Sequence, residues 1–435
     1  MPRMKLGRLQ SWPMAETPSP YAPGIISDEP VPPRPPGRVA IFLTAAFVVG
    51  VVASGMPLKI AAEALVATGA PPRALQHLFG IASIPITLLP LWAYLSDTSP
   101  LWGTRREGHL VLMSLMAAVA WVGIALESTR YPVWLAAAVV LGLASSGSRA
   151  AITGALAEIG QRRGITGPLA GAYIGLSRLA MVAAIPLSGL QTWVPVPLIA
   201  GVAAGLSLAV PLLVVALADR AAASPVLPVG AAAAAVAGVS VPRFLRSRAF
   251  WASMAVVICA GLATVPNELV VREGADGPVP WTSQAMLEAS LLSAPVVYLL
   301  LSGRLPFGML LRLSLVVKAF ALVAGALAAS GPAADATGAA FHARAAANSL
   351  LSCALTDLAL RVAPRGREAF GAILLAGVTQ IVIVMANAAE STMGLPIALV
   401  GCVAAGAAVT AMLTVSLLPG PVFESSRRAV VGSPA

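Results

Sequence analysis

Apolar residues in this chain come in runs of about twenty, interrupted by glycine, proline and charge, without the half-polar stripe of a water-soluble helix. The runs 75–94 and 110–126 are each about long enough to cross a ~30 Å hydrocarbon core as helix. The charged link between them is so short that the two must be adjacent and antiparallel. The same reading gives twelve candidate spans: 39–60, 75–94, 110–126, 131–156, 169–190, 196–217, 250–271, 286–301, 308–329, 339–360, 370–388 and 395–418. The expected fold is therefore an all-α polytopic membrane protein. A Pro-rich tail (1–38), a six-helix half (39–217), a linker (218–248), a second six-helix half (249–418) and a short tail (419–435) divide the chain.

Composition agrees, since 58% hydrophobic and 11% charged residues exceed what a soluble core of 435 residues can bury. A formal net charge of +10 would suggest nucleic acid in a soluble protein, but the basic residues lie mainly between apolar runs, so no nucleic-acid partner is expected. On the twelve-span map they fall overwhelmingly on the side of the N-terminus, with Arg73, Arg130 and Arg272 on the other, which places both termini in the cytoplasm. The ten prolines of the first 38 residues and the lack of an apolar run there argue against a signal peptide or a helix. Cys259, Cys353 and Cys402 sit inside apolar runs without CxxC spacing and read as packing residues, so neither a metal nor a cofactor is expected.

The halves echo one another. Leu301-Ser302 and Pro306-Phe307-Gly308 echo Leu95-Ser96 and Leu101-Trp102-Gly103, and the basic group at 365–367 echoes that at 162–164. A parallel repeat of a six-helix unit follows. The second copy carries no acid matching Asp97.

On these residues the chain resembles the major facilitator superfamily, within it the branch of folate-biopterin transporters and muropeptide permeases. Ser96-Asp97, Pro100, Gly103 and Arg105-Arg106 are similar to that branch's SDxxPxxGYRR turn, with Thr104 in place of the aromatic. Gly175 to Met181 is similar to a stretch of span five, 245–251 to the basic lead into span seven, and Asp357, Pro364 and Glu368 to Phe370 to the exit of span ten. The resemblance implies twelve helices in two parallel-repeat bundles and a cavity lined by spans one, four, seven and ten. It leaves the substrate open, because the branch also holds siderophore importers and non-transporting relatives.

Asp97, Gly103, Arg105 and Arg106 are candidates for a gate: the carboxylate can accept from backbone N–H groups at a neighbouring helix start or pair with a basic residue. The alternative is that Asp97 caps a turn and the arginines only set topology. Charge inside a span is costly and marks function by default. Ser145, Arg149 and Thr153 recur at four-residue spacing in span four, and Arg344, Asn348, Ser352 and Thr356 do so in span ten. Arg178 lies roughly 20 Å into the membrane at ~1.5 Å per residue and needs a partner or an anionic ligand. Substrate-binding candidates are thus Arg149, Arg178, Arg344, Asn348, Ser145 and Ser352, and the cationic interior favours an anionic or carboxylate-bearing solute. Glu268 and Asp357 are the candidates for proton coupling, the alternative for each being an ordinary interfacial salt bridge. Lys318 reads as a residue that snorkels to the headgroups.

No P-loop, HExxH or Ser/His constellation is present, so an enzyme is not expected. The expected function is secondary active transport of a small organic anion, proton-coupled, by a monomer in contact with lipid in a bacterial inner membrane. The alternative is a transport-inactive relative serving as a membrane assembly factor or scaffold.

Overall fold

The computed structural model describes residues 37–55, 57, 60–61, 64, 78, 81, 84–85, 87–102, 104–189, 193–221, 241–264, 281–329, 334–393 and 397–424. Among the described residues, twelve helices of ten residues or more follow in order: α1 Gly37–Val49, α2 Leu89–Thr98, α3 Glu107–Leu126, α4 Tyr131–Arg163, α5 Thr166–Gly189 and α6 Val196–Ala221. After a single turn at Val241–Leu245 come α7 Arg248–Leu262, α8 Trp281–Ser302, α9 Phe307–Ala329, α10 Ala334–Val362, α11 Glu368–Met393 and α12 Ile397–Thr414. Among the described residues five helices are long and apolar enough to cross a membrane, namely Glu107–Leu126, Tyr131–Arg163, Thr166–Ala184, Val196–Ala216 and Phe307–Leu327. Large side chains such as Val119, Leu212 and Phe320 are exposed on their outer faces, as in a protein whose solvent is lipid.

Helix ends depart from the apolar runs where polar residues stay helical. α4 continues past its apolar run to Arg163 and stops at Gly164, whose φ of 66° is the left-handed conformation that closes a helix at low cost. That extension carries Glu158, Gln161 and Arg162 to the end of the bundle where the 95–106 turn lies, the basic end. α7 starts at a Ser247 cap that accepts from the Phe250 N–H at 3.2 Å. Most of the expected linker lies outside the described residues.

α1 widens into a π-helical stretch over Gly50–Gly55. A Cβ on Gly50 would lie 2.6 Å from that of Ala180, so glycine lets α5 press against this turn. The widened ladder leaves the Val52 carbonyl to accept from the fully buried Trp121 indole at 2.9 Å.

Packing repeats six helices apart. α3 packs on α4 and α6 as α9 does on α10 and α12, α1 on α5 and α6 as α7 on α11 and α12, and α2 on α4 as α8 on α10. The contacts between the first six helices and the last six follow the same exchange: α5 meets α8 and α10, while α11 meets α2 and α4. The row Gly167, Gly171 and Gly175 faces Ser302, Tyr298 with Leu299, and Pro295, so small residues bring α5 and α8 together.

Candidate functional site

Two features lie where α1–α6 meet α7–α12: a charged cluster at the basic end and a cavity deeper in the bundle. The cluster begins with the 101–104 turn. Leu101 and Thr104 exchange both backbone hydrogen bonds, at 3.0 and 2.9 Å, and Trp102 takes a φ of 49°, a left-handed value unusual for a side chain of its size. Thr104, where the family turn has an aromatic, accepts the Gly108 N–H through its hydroxyl at 2.8 Å and so holds the start of α3. Gly103 lies outside the described residues.

Arg106 is fully buried at the centre. One terminal nitrogen donates to Glu158 Oε2 at 2.8 Å and to the Gly154 carbonyl, and the other donates to Asp97 Oδ1 and Glu368 Oε2, each at 2.9 Å. Burial alone would lower its pKa, but the pull of Asp97, Glu158 and Glu368 outweighs it and raises it further, so the guanidinium stays charged. Around it Arg38 pairs with Glu107 at 2.7 Å, Arg162 with Glu158 at 3.1 Å, and Arg105 with Glu368 at 3.3 Å. Bare glycine at 154 is needed, since a Cβ there would sit 2.9 Å from Arg106 Nε and 2.5 Å from the Ala369 Cβ.

The bonds from Arg106 and Arg105 to Glu368 cross between the two sets of helices, and further bonds do so beside them. Asp97, buried at the end of α2, accepts from the backbone N–H of Phe370 at 2.8 Å and of Ala369 at 3.3 Å, capping the first turn of α11. A carboxylate at a helix N-terminus is stabilised by the free N–H groups and the dipole. Arg105 donates to the Gly366 carbonyl, and Gln161 donates at 2.7 Å to the carbonyls of both Leu360 and Ala363, which end α10. Arg367 stacks 5.0 Å over the Tyr94 ring, and Leu89, Ala93, Ala150, Ala369 and Ile373 form an apolar plug beneath. The α10–α11 turn is thus held on both helix ends by α2, α4 and the 101–106 turn.

Asp357 lies in a separate cluster at the same end. Its carboxylate accepts from Arg361 at 2.7 Å and from the Tyr298 hydroxyl at 2.9 Å, and Arg361 in turn lies 4.5 Å over the Phe307 ring. Glu158 with Arg162 and Asp357 with Arg361 are the same acid–arginine pair, four residues apart, at the ends of α4 and α10.

Past the apolar plug, away from the turn, is a cavity of ≈ 430 Å³ lined from both sets of helices. Arg149 and Thr153 of α4, Tyr173, Ser177 and Arg178 of α5, Ser352 and Thr356 of α10 and Thr379 of α11 supply its polar lining. Val49 and Gly50, at the α1 π turn, close one side. The structure therefore brings together Arg149, Arg178 and Ser352 of the expected substrate residues. Ser145, Arg344 and Asn348 are not among the lining residues. Arg344 is buried against α9 at Gly325, and Lys318 does not snorkel but is fully buried on α9. Glu268 lies outside the described residues. The sequence reading passed over Gln161, which had no charge or motif to mark it, and left Glu158 and Glu368 without their shared partner.

The fold is that of an all-helical membrane protein with a cavity between its two sets of helices. The BT1 family model matches residues 56–262. "Probable folate-biopterin transporter 4" of Arabidopsis thaliana is 34% identical over 58 residues, a stretch covering 13% of this chain and 12% of the relative. A bacterial homologue of iron transporter ferroportin, solved in an outward-facing state, aligns with a TM-score of 0.62 and 14% identity over 87% of this chain and 98% of that one. The same homologue with soaked iron aligns with a TM-score of 0.62 and 15% identity over the same shares. The chain is an integral membrane protein that shares the fold of that homologue, and residues 56–262 resemble the BT1 family.

Proposed function

We propose that the chain is a secondary active transporter that carries a small organic anion by alternating access, with its two six-helix halves rocking about the central cavity. The observation that carries this reading is the cavity itself: two arginines, Arg149 and Arg178, face a space lined from both halves, directly inside a seal made of bonds that cross between the halves. An alternating-access protein needs a site reachable from one side while contacts that break in the other state close the opposite side. Arginine forks match carboxylates, and the hydroxyls of Thr153, Ser352, Thr356 and Tyr173 supply orientation. A folate-like solute, as in the relative's name, has that chemistry, whereas the arginines repel the cationic cargo named for the ferroportin homologue.

The basic end is cytoplasmic in this reading, with the protein in a bacterial inner membrane, so the seal closes the cytoplasmic side and the cavity waits for solute from outside. Asp357 is the proton-coupling candidate within the described residues, because its carboxylate, held by Arg361 and Tyr298 of its own half, lies against Gly167 of α5 and is uncovered when the halves separate. Uptake of pterins, folates, short peptides and other carboxylates into proteoliposomes, with and without a pH gradient, tests the proposal. Solute accumulation driven by the gradient and lost in Arg178→Gln supports it. Accumulation of a cation, or of nothing, sinks it.

A further inference from the structure

Arg344 and Lys318 form a second cationic centre that the cavity does not use. Lys318 on α9 is 0% exposed and Arg344 on α10 is 3% exposed, and the two helices pack together. Lys318 Nζ, Arg344 Nε and, one turn further along α10, Asn348 Oδ1 have no hydrogen-bond partner. Among the described residues no carboxylate pairs with either cation. The site is shaped to admit the arginine: a Cβ at Gly325 would lie 2.9 Å from Arg344 Cδ and 3.0 Å from its Nε, so glycine lets the guanidinium lie on the α9 backbone. Gly325 stands two turns from Lys318 on the same face, with Leu322 between them in a small-residue core that includes Ala404 and Ala408.

A guanidinium does not surrender its proton in a protein, so this apolar core holds at least one uncompensated positive charge. An isolated buried charge is costly, and the cost is removed by a counter-charge accepting the orphaned donors. The two cations are orphaned on adjacent helices that pack together, with a carboxamide one turn from the arginine. Nothing about that arrangement serves packing alone, because an apolar pair of the same volume would fill the space without the penalty.

We propose that Lys318, Arg344 and Asn348 form a buried site for a small monovalent anion, of chloride size, inside the second six-helix half and separate from the transport cavity. The anion accepts from Lys318 Nζ and the Arg344 guanidinium, and the Asn348 side chain turns its amide N–H toward it. Bound there, it ties α9 to α10. The site does not depend on what the central cavity carries.

The test is thermal unfolding of the full chain in detergent at constant ionic strength, with sodium chloride, bromide or nitrate exchanged for sodium gluconate, which is too large to enter. The expected result is a saturable rise of a few degrees in the unfolding midpoint with the small anions. In Lys318→Met the rise disappears, while the midpoint in gluconate equals or exceeds that of the unaltered chain. Arg344→Gln, which keeps an N–H donor but not the charge, loses the rise as well. Hydrogen exchange of α9 and α10 in the unaltered chain gives a reading that needs no variant to fold, and slows in chloride relative to gluconate. Equal midpoints and equal exchange in chloride and gluconate overturn the proposal. So does an anion effect that survives Lys318→Met but vanishes in Arg149→Gln or Arg178→Gln, since it then belongs to the cavity.

Discussion

Replacing Asp97 by asparagine removes one charge from the seal and little else. The side chain keeps its shape, and its carbonyl still accepts from Phe370. Arg106 retains Glu158 and Glu368 at 2.8 and 2.9 Å, so its burial remains compensated. What changes is the bond across the halves. A hydrogen bond to a charged group is worth about 1.5–3 kcal/mol and a neutral one about 0.5–1.5. Losing the carboxylate's attraction to the α11 N-terminus costs a further ~0.3–1 kcal/mol. The closed basic end is thus weakened by about 1.5–2.5 kcal/mol, or about 10- to 60-fold in the closed-to-open ratio at 1.4 kcal/mol per decade. Spin labels at Thr104 and Arg365, exposed positions on opposite sides of the seam, report the change by pulsed electron resonance in a background without Cys259, Cys353 and Cys402. The unaltered chain gives a dominant short distance, and Asp97→Asn adds a longer population. Identical distributions, with transport also unaffected, would refute the reasoning and leave Asp97 as the cap of a turn.

Three further outcomes follow from the same geometry. Gln161→Leu strips two 2.7 Å bonds from the end of α10 and weakens closure by ~1–3 kcal/mol, read with the same label pair. Because glutamine is neutral, that effect persists in high salt, which screens the partly exposed Arg38 and Arg162 pairs. Gly154→Ala drives a methyl between Arg106 and Ala369 and favours the open end by ~1–3 kcal/mol, and its unfolding midpoint falls less than its distance distribution shifts. Tyr298→Phe removes one of the bonds to the Asp357 carboxylate and costs about 1.5–3 kcal/mol of stability, read as a fall in the unfolding midpoint.

Much of the scaffold was legible because a membrane imposes length. Runs such as 110–126 and 196–217 match α3 and α6 within a few residues, since nothing but a helix satisfies its backbone in hydrocarbon. α4 was read too short because Glu158 to Arg163 leave the apolar core while remaining helical. The seal was visible as a motif, but its partners were not. Asp97 meets residues more than 270 positions away, and a backbone N–H at a helix start carries no sequence signature.

The polar stripes misled in a physical way. A four-residue step advances a side chain by about 40° beyond a full turn, so Arg344 and Thr356 differ by roughly 120° around α10. Thr356 and Ser352 face the cavity while Arg344 faces α9, and Ser145 falls off the lining for the same reason. A stripe that follows the helix over many turns must alternate three- and four-residue steps. Arg178, singled out by its distance from the helix end, lines the cavity with Ser352 and Thr356.

The central claim is that an anionic solute is bound between Arg149 and Arg178 and carried past the seal. Counterflow of a labelled carboxylate solute into proteoliposomes, compared between the unaltered chain and Arg178→Gln, tests it most directly. The account predicts robust counterflow that falls at least about 100-fold in the variant, as expected when a buried charge-assisted contact worth about 3 kcal/mol is lost, while the distance between labels at Thr104 and Arg365 stays unchanged. Equal counterflow in both proteins would contradict it.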